Sequence, residues 1–249
     1  MPRLRQEQAA RLEQISIEDY KKSRAWLFTF VGLFTVLLAF YVLIIALVEF
    51  EGISAQRSFQ KINHSLYLRL EQTRQEQGWA HIEIENTLTK GIRIRFLSET
   101  FEQVPLFLSA RADFQAEHLA KMDQLVTLIE AVDLAHPERY FQHWISRIEA
   151  AGYLFRMQVR VEGHTDAVPL APGAFYRNNL ELSTDRAFQV KDYLRQGTGL
   201  SSELFAIAGY GDFRPDTENP LDAENRRIEV YVTPLMISVL QRGRHEQGE

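Results

Sequence analysis

The sequence predicts an α+β protein in which a single N-terminal transmembrane helix precedes a mixed domain of strands and helices. The first observation is an uncharged run, because residues 25–48 contain no Asp, Glu, Lys, Arg or His. As a helix, this run would cover roughly 36 Å at about 1.5 Å per residue, enough to cross a hydrocarbon core of about 30 Å. The second observation is that apolar residues after position 81 alternate between a period of two and helical spacing, which is typical of α+β domains.

The composition narrows the class of protein. The chain has 249 residues, no cysteine, a net charge of −5, 45% hydrophobic residues and 24% charged residues. This length allows one sizeable core with appendages, and these proportions exclude a disordered, collagenous or disulfide-stapled protein. A mildly acidic chain also lacks the basic surface that general nucleic-acid binding needs. We therefore expect no nucleic-acid partner.

Charges that flank the uncharged run predict the orientation of the span. Three cationic residues lie within 21–24, whereas Glu49 and Glu51 follow the run. The positive-inside rule then places residues 1–24 in the cytoplasm as a tail and the domain on the other side of the membrane. The alternative is a cleaved signal peptide, whose apolar region would be shorter and would end in small residues.

A linker helix is predicted between the span and the domain, within residues 49–80. Apolar residues recur at helical spacing from Phe59 to Leu70, and the pattern stops at Gly78. This segment could be a spacer that lifts the domain off the membrane, or it could regulate the domain. The spacing alone leaves both interpretations open.

The predicted domain covers residues 81–234 and is followed by a C-terminal tail at 235–249. Alternating apolar residues predict strands, and apolar residues three and four apart predict helices. The elements predicted in this way are a hairpin at 82–96, helices at 114–129 and 137–152, a strand at 157–162, a helix at 183–196 and strands at 205–209 and 227–232.

The residues that point to a binding site follow the strand at 157–162. This strand runs into Gly163-His164-Thr165-Asp166, and the next helix has Ser183 as its predicted N-cap and Arg186 in its first turn. If both charged residues face a cleft, the carboxylate can bind an ammonium group and the guanidinium can bind a carboxylate. From spacing alone, an internal salt bridge between Asp166 and Arg186 is the alternative.

The same residues do not predict an enzyme or a metal site. His164 and Asp166 lie on one face of a strand, but no third metal ligand accompanies them in the sequence. Ser183 and His164 are not accompanied by a hydrolase motif. Phosphate-loop and dinucleotide-binding fingerprints are absent from the sequence. We therefore expect no catalytic residue, no metal and no cofactor.

Four motifs in a fixed order resemble the OmpA-like peptidoglycan-binding domain. They are Gly163-His-Thr-Asp166, Asn179-x-x-Leu-Ser-x-x-Arg186, Gly209-Tyr-Gly211 and Asn225-Arg-Arg-Ile-Glu229. The resemblance covers about residues 81–234 and implies a βαβαβ-type sandwich that binds the peptide stem of peptidoglycan.

The resemblance also implies which residues hold the ligand. The zwitterionic end of diaminopimelate is expected between Asp166 and Arg186. Asn179 matches the binding asparagine of the family motif, and Thr165 and Arg226 are expected to contribute further contacts. Arg226 could instead only brace the last strand.

The span resembles that of MotB-type flagellar stator subunits, through Trp26, Thr29, Phe30 and Leu33. This alignment places Gly32 where the family carries an ion-accepting aspartate, so the span by itself is not expected to conduct ions. The resemblance implies a B subunit in the bacterial inner membrane, with its domain in the periplasm and a plug-like segment near 52–66. It also implies that this chain forms a homodimer, which assembles with a MotA-like polytopic partner. The alternatives are a static membrane-to-wall anchor and a MotB-like component of a non-flagellar defence or transport complex.

Overall fold

The computed structural model describes residues 2–87 and 89–238. The chain divides into two compact units, Met1–Ile53 and Ser54–Glu249. Helix α1 (Pro2–Glu76) supplies the described part of the first unit. Within it, Trp26–Ile45 is long and apolar enough, by length and composition, to cross a membrane. Large apolar side chains in this stretch are exposed, which suits contact with lipid rather than with water.

The part of α1 that follows residue 53 belongs to the domain unit. Ile62, Leu66 and Leu70 are fully buried and lie in the same core as the strands and the other helices. The guanidinium of Arg69 also stacks on the ring of Tyr140, 3.6 Å from its centroid. The domain unit therefore begins before residue 81, the boundary that the sequence predicts, and this helix packs on the domain as well as following the span.

The remaining elements confirm an α+β domain. After α1, the strands and α-helices are β1 (Ile82–Thr87), β2 (Gly91–Phe96), α2 (Leu119–Glu130), α3 (Glu138–Ala150), β3 (Tyr153–Gly163), α4 (Asn179–Thr198), β4 (Phe205–Gly209) and β5 (Ile228–Ser238). Short 3-10 helices occur at Ser98–Phe101, Ala116–His118, Ser202–Leu204 and Ala223–Asn225.

The five strands form one sheet with the order β1-β2-β5-β3-β4. The strands are antiparallel except for β3 and β4, which run parallel because α4 lies between them in the chain. Apolar residues on one face of the sheet, such as Val159, Val161 and Val230, are buried in a single core with residues of the helices. The sheet and the helices thus form the layered sandwich that the sequence predicts.

The opposite face of the sheet carries charged residues. Glu83 pairs in register with Arg95, and Glu85 pairs with Arg93, and each couple forms an ion pair. Opposite charges on neighbouring strands stabilise the pairing of β1 with β2. Because these side chains are charged, this face of the sheet does not form a second apolar core.

Several predicted boundaries differ from those in the structure. Strand β3 begins at Tyr153 rather than at residue 157, because its first residues pair with the end of β5. Strand β5 correspondingly continues to Ser238, past residue 234, where the sequence ends the domain. The rest of the predicted tail, residues 239–249, lies outside the described residues. Helix α2 begins at Leu119, because Phe114 belongs to an isolated bridge with Phe107.

Candidate functional site

The end of β3 and the start of α4 bring the predicted binding residues together because their backbones approach very closely. A Cβ atom added at Gly163 would lie 2.1 Å from the carbonyl oxygen of Ser183. At Gly209, on the neighbouring strand, an added Cβ would lie 2.0 Å from Thr184 Oγ1. No side chain fits in either gap, so these two glycines let α4 lie directly against the ends of β3 and β4.

Helix α4 begins earlier than the sequence predicts, and Ser183 is not its N-cap. The N-cap is Asn178, whose side chain accepts a hydrogen bond from the backbone N–H of Glu181 at 2.9 Å. Glu181 in turn accepts a hydrogen bond from the N–H of Arg177, an arrangement close to a capping box. The Asn178-x-x-Glu181 spacing in the sequence is the signal that could have located this start.

Ser183 instead joins α4 to the loop after β4. It is fully buried, and its hydroxyl donates to the carbonyl of Leu180 and accepts from the N–H of Gly211 at 2.8 Å. A buried hydroxyl with both hydrogen bonds satisfied fixes the loop without the cost of an unpaired polar group. The serine of the motif therefore has a structural role in positioning this loop.

Asp166 forms an ion pair with Arg226, 60 residues further along the chain. The guanidinium Nη1 of Arg226 donates to Asp166 Oδ2 at 2.7 Å. The two side chains differ in exposure, with 8% for Asp166 and 47% for Arg226. Within the described part of the chain, the second oxygen of Asp166, Oδ1, accepts no hydrogen bond.

Arg186 lies beside this pair but makes its hydrogen bonds to backbone carbonyls. It is 5% exposed, and it donates from Nε to Arg111 at 3.0 Å and from Nη2 to Leu108 at 3.3 Å. Burial, reinforced by repulsion from Arg226, lowers the pKa of Arg186 to about 10, although Asp166 opposes the shift. The guanidinium is therefore charged at neutral pH and still has Nη1 for a ligand.

The other predicted contributors hold the loop that carries Asp166. The side-chain amide of Asn179 donates to the carbonyls of Asp166 and Val168 at 3.1 and 3.0 Å. The N–H of Thr165 donates to the carbonyl of Gly211 at 2.9 Å, while its hydroxyl is buried and has no hydrogen-bond partner among the described residues. Both residues thus help to hold the loop around Asp166 in place. Their contact with a ligand stays a prediction.

A cavity of about 560 Å³ opens beside these charged groups. Its lining includes Arg186 and Arg226 together with Phe96, Phe101 and Phe107. The guanidinium of Arg186 also lies 4.9 Å from the ring centroid of Phe107, a cation–π contact. The cavity is large enough for a small ligand that combines charged and apolar parts.

A second buried cluster lies on the charged face of the sheet, and we call it the ion-pair layer: Glu162, His164, Arg227, Glu229 and Tyr231. Glu229 accepts hydrogen bonds from Arg227 and from the hydroxyl of Tyr231. Burial opposes ionisation of Glu229, but these two hydrogen bonds outweigh it and lower its pKa to about 2. Burial, together with the charge of Arg227, lowers the pKa of His164 to about 4.

Three members of the ion-pair layer could together hold a metal ion. Glu162, His164 and Glu229 offer ligand atoms within 4.8 Å of one another. Both carboxylates already have cationic partners, however, since Lys90 lies 2.8 Å from Glu162 and Arg227 lies 2.7 Å from Glu229. A divalent cation would have to displace these partners, so the charge balance favours a structural ion-pair network.

Comparison with known proteins identifies the domain. Residues 148–229 match the profile of the OmpA family. This segment, from the end of α3 to the start of β5, is OmpA-like. The fold of the domain is shared with a putative MotB-like protein from Desulfovibrio vulgaris, which is 19% identical, with a TM-score of 0.51 over 71% of this chain and 97% of that one.

Two further proteins are similar to this chain. The uncharacterized protein YtxE of Bacillus subtilis is 26% identical over 233 residues, which cover 86% of this chain and 90% of YtxE. The cell wall anchor of the T6SS from Pseudomonas aeruginosa is 22% identical, with a TM-score of 0.46 over 68% of this chain and 98% of that one.

Proposed function

We propose that this chain is a single-span membrane protein whose OmpA-like domain binds peptidoglycan through the zwitterionic end of a diaminopimelate-containing stem peptide. One observation carries the proposal: a buried carboxylate, Asp166, pairs with Arg226 and lies close to Arg186, and both of these arginines line a cavity. Asp166 supplies the acceptor for the ligand's ammonium group. Arg186 and Arg226 supply the donors for its carboxylate.

The position of the charges supports a zwitterionic ligand over a simple ion. Asp166 Oδ1 and Arg186 Nη1 have no hydrogen-bond partner within the described residues, so an acceptor and a donor are both available. A ligand that brings an ammonium and a carboxylate on one carbon can use both at once. An anion alone would leave Asp166 to repel it.

The apolar stretch Trp26–Ile45 supports attachment to the bacterial inner membrane. The cationic residues before it and Glu49 and Glu51 after it favour a cytoplasmic N-terminus, with the domain in the periplasm. This topology would bring the domain to the side of the membrane where peptidoglycan is found.

A role as a stator subunit is the more specific part of the proposal. The resemblance of the span to MotB-type subunits favours a homodimer that assembles with a MotA-like membrane partner. The ion-coupling position is occupied by Gly32, which has no ionisable group and no neighbour within 4 Å of an added Cβ. That observation favours a second candidate function, a static membrane-to-wall anchor that does not itself carry ions.

Binding to purified sacculi tests the wall-binding proposal. Asp166→Ala and Arg186→Ala should each weaken co-sedimentation about ten-fold or more, because losing one partner of a charged contact costs about 1.5–3 kcal/mol. Arg147→Ala, which removes an exposed arginine of α3, is the matched control and should bind like the wild-type chain. Unchanged co-sedimentation of both folded site variants would refute the site.

Co-purification separates the stator from the static anchor. Extraction in mild detergent should recover a polytopic membrane partner if the chain is a stator-type subunit. Recovery of this chain alone would refute the stator role and favour the static anchor. If a partner is found, Gly32→Asp is the informative variant, since no described residue lies within 4 Å of a Cβ added there. Proton or sodium flux in Gly32→Asp but not in wild type would assign the lost ion-coupling function to this position.

A further inference from the structure

We propose that Arg226 is a specificity-determining residue: it occupies Asp166 when the site is empty and so excludes ligands that bring an amine without a carboxylate. The inference rests on the proposed function, because it concerns the same site. It assigns to Arg226 a role that differs from that of Arg186, although both are arginines that line the same cavity.

The geometry separates the two arginines. Arg186 is almost completely buried and is tied to the carbonyls of Leu108 and Arg111. Arg226 is half exposed, and its guanidinium makes one hydrogen bond within the described residues, to Asp166. Arg186 therefore stays in place when a ligand arrives, whereas Arg226 can turn away from Asp166 by rotating a solvent-exposed side chain.

The backbone of Arg226 is held on both sides, so this movement is confined to its side chain. The preceding residue, Asn225, is fully buried, and its side chain accepts hydrogen bonds from the N–H groups of Asp216 and Thr217. The following residue, Arg227, pairs with Glu229 at 2.7 Å. The guanidinium thus remains within reach of Asp166 and of anything bound to it.

The charges of Asp166, Arg186 and Arg226 determine which class of ligand this arrangement favours. Asp166 carries one negative charge, and Arg186 and Arg226 carry two positive charges, so these three side chains together have a net charge of +1. An amine without a carboxylate would raise this to +2 and would have to compete with Arg226 for Asp166. A ligand with an ammonium and a carboxylate leaves the net charge unchanged, and its carboxylate gives the displaced Arg226 a new partner.

A matched pair of stem peptides tests this role. One peptide carries meso-diaminopimelate at its third position and the other carries L-lysine there, so the two differ by a single carboxylate. Affinities are measured by calorimetry with the full chain in detergent micelles. The wild-type chain should prefer the diaminopimelate peptide by about ten-fold or more, the effect of one charged contact.

The variant Arg226→Ala should move the two affinities in opposite directions. The diaminopimelate peptide loses a partner and binds more weakly, while the lysine peptide meets an unoccupied Asp166 and binds more tightly. The preference should then fall to about three-fold or less. Arg226→Lys keeps the charge and should retain an intermediate preference, and Arg147→Ala should behave like the wild type.

Each contrary result has a distinct meaning. Equal weakening of both peptides in Arg226→Ala would make Arg226 a brace for β5 and would overturn the inference, as would unchanged affinities. A wild-type chain that binds both peptides equally well would overturn the inference and leave the proposed function standing. A wild-type chain that binds neither peptide would refute the proposed function itself.

Discussion

The site has two halves that the fold holds in different ways. The fixed half consists of Asp166 and Arg186, whose side chains are buried and lie where β3, α4 and the loop at 107–111 meet. The movable half is the side chain of Arg226, which is half exposed and is held by its ion pair with Asp166. Arginine thus has two different roles in this site. Arg186 is fixed by the fold, whereas Arg226 can exchange its ion-pair partner.

The difference teaches that burial, rather than charge, distinguishes the roles of the two arginines. A buried guanidinium that makes hydrogen bonds to backbone carbonyls costs free energy to move, because each lost bond leaves an unpaired polar group. An ion pair whose guanidinium is half exposed can exchange that guanidinium for another cation at a lower cost than a fully buried pair can. Disrupting the fixed half should therefore affect folding, and disrupting the movable half should affect the choice of ligand.

The largest effect is expected from Gly163→Ala, which removes the contact on which the fixed half is built. The added methyl group would meet the backbone carbonyl of Ser183 at 2.1 Å, so α4 must move away from β3. The free energy of unfolding should fall by about 3 kcal/mol or more. Chemical denaturation of the full chain, followed by near-ultraviolet circular dichroism, measures the change.

A second glycine serves as the control for this prediction. At Gly197 an added Cβ would meet a methyl group of Val126 at 2.6 Å rather than backbone, and alanine is favoured over glycine within a helix such as α4. Gly197→Ala should lower the free energy of unfolding by less than Gly163→Ala does, because the side chain of Val126 can shift more easily than a backbone carbonyl and alanine favours the helix. Equal destabilisation by the two variants would show that the contact between β3 and α4 at Gly163 is no more sensitive to an added methyl group than the contact at Gly197.

The sequence predicted the elements that local patterns specify. The hairpin of β1 and β2 and the strand β4 lie where alternation and turn residues place them. The start of α4 was missed because two candidate caps, Asn178 and Ser183, lie within one and a half turns, and only the packing of α4 against β3 buries Ser183. Hydrophobic periodicity also could not show what the helix at 54–76 packs against.

Contacts across long separations could not be predicted in the same way. The pair of Asp166 and Arg226 depends on the register between β3 and β5, in which Gly163 lies opposite Ile228. The acceptors of Arg186 are carbonyls of the loop at 107–111, and a backbone carbonyl leaves no signature in a sequence. The motifs therefore indicated which residues belong to the site, but not how these residues are partnered.

Low pH should lower the free energy of unfolding through two residues of the ion-pair layer, His164 and Glu229. The pKa of His164 is lowered from 6.5 to about 4 and that of Glu229 from 4.5 to about 2. In both cases the unfolded chain binds the proton more readily, so stability falls as the pH falls. His164 should account for a loss of about 3 kcal/mol between pH 6.5 and 4, and Glu229 should extend the loss below pH 4.5.

Unfolding measured across this pH range tests the assignment. His164→Gln removes the titrating group and should flatten the dependence of the free energy of unfolding between pH 6.5 and 4. The decline below pH 4.5 should persist in that variant, since Glu229 is still present. A wild type and a His164→Gln variant with the same slope between pH 6.5 and 4 would contradict the role of His164.

The smallest effects give the most direct comparison of the two halves, because replacing each arginine by lysine keeps its charge. In Arg186→Lys a single ammonium replaces a fork that donates to two carbonyls, so the free energy of unfolding should fall by about 1.5–3 kcal/mol. In Arg226→Lys a positive charge still faces Asp166 and the half-exposed side of the ion pair is only weakened, so the fall should stay below about 1 kcal/mol. Denaturation of the two variants under identical conditions measures the difference. If Arg226→Lys proved the more destabilising, the distinction between a fixed and a movable half would be wrong, and Arg226 would have to be counted among the residues that hold the fold.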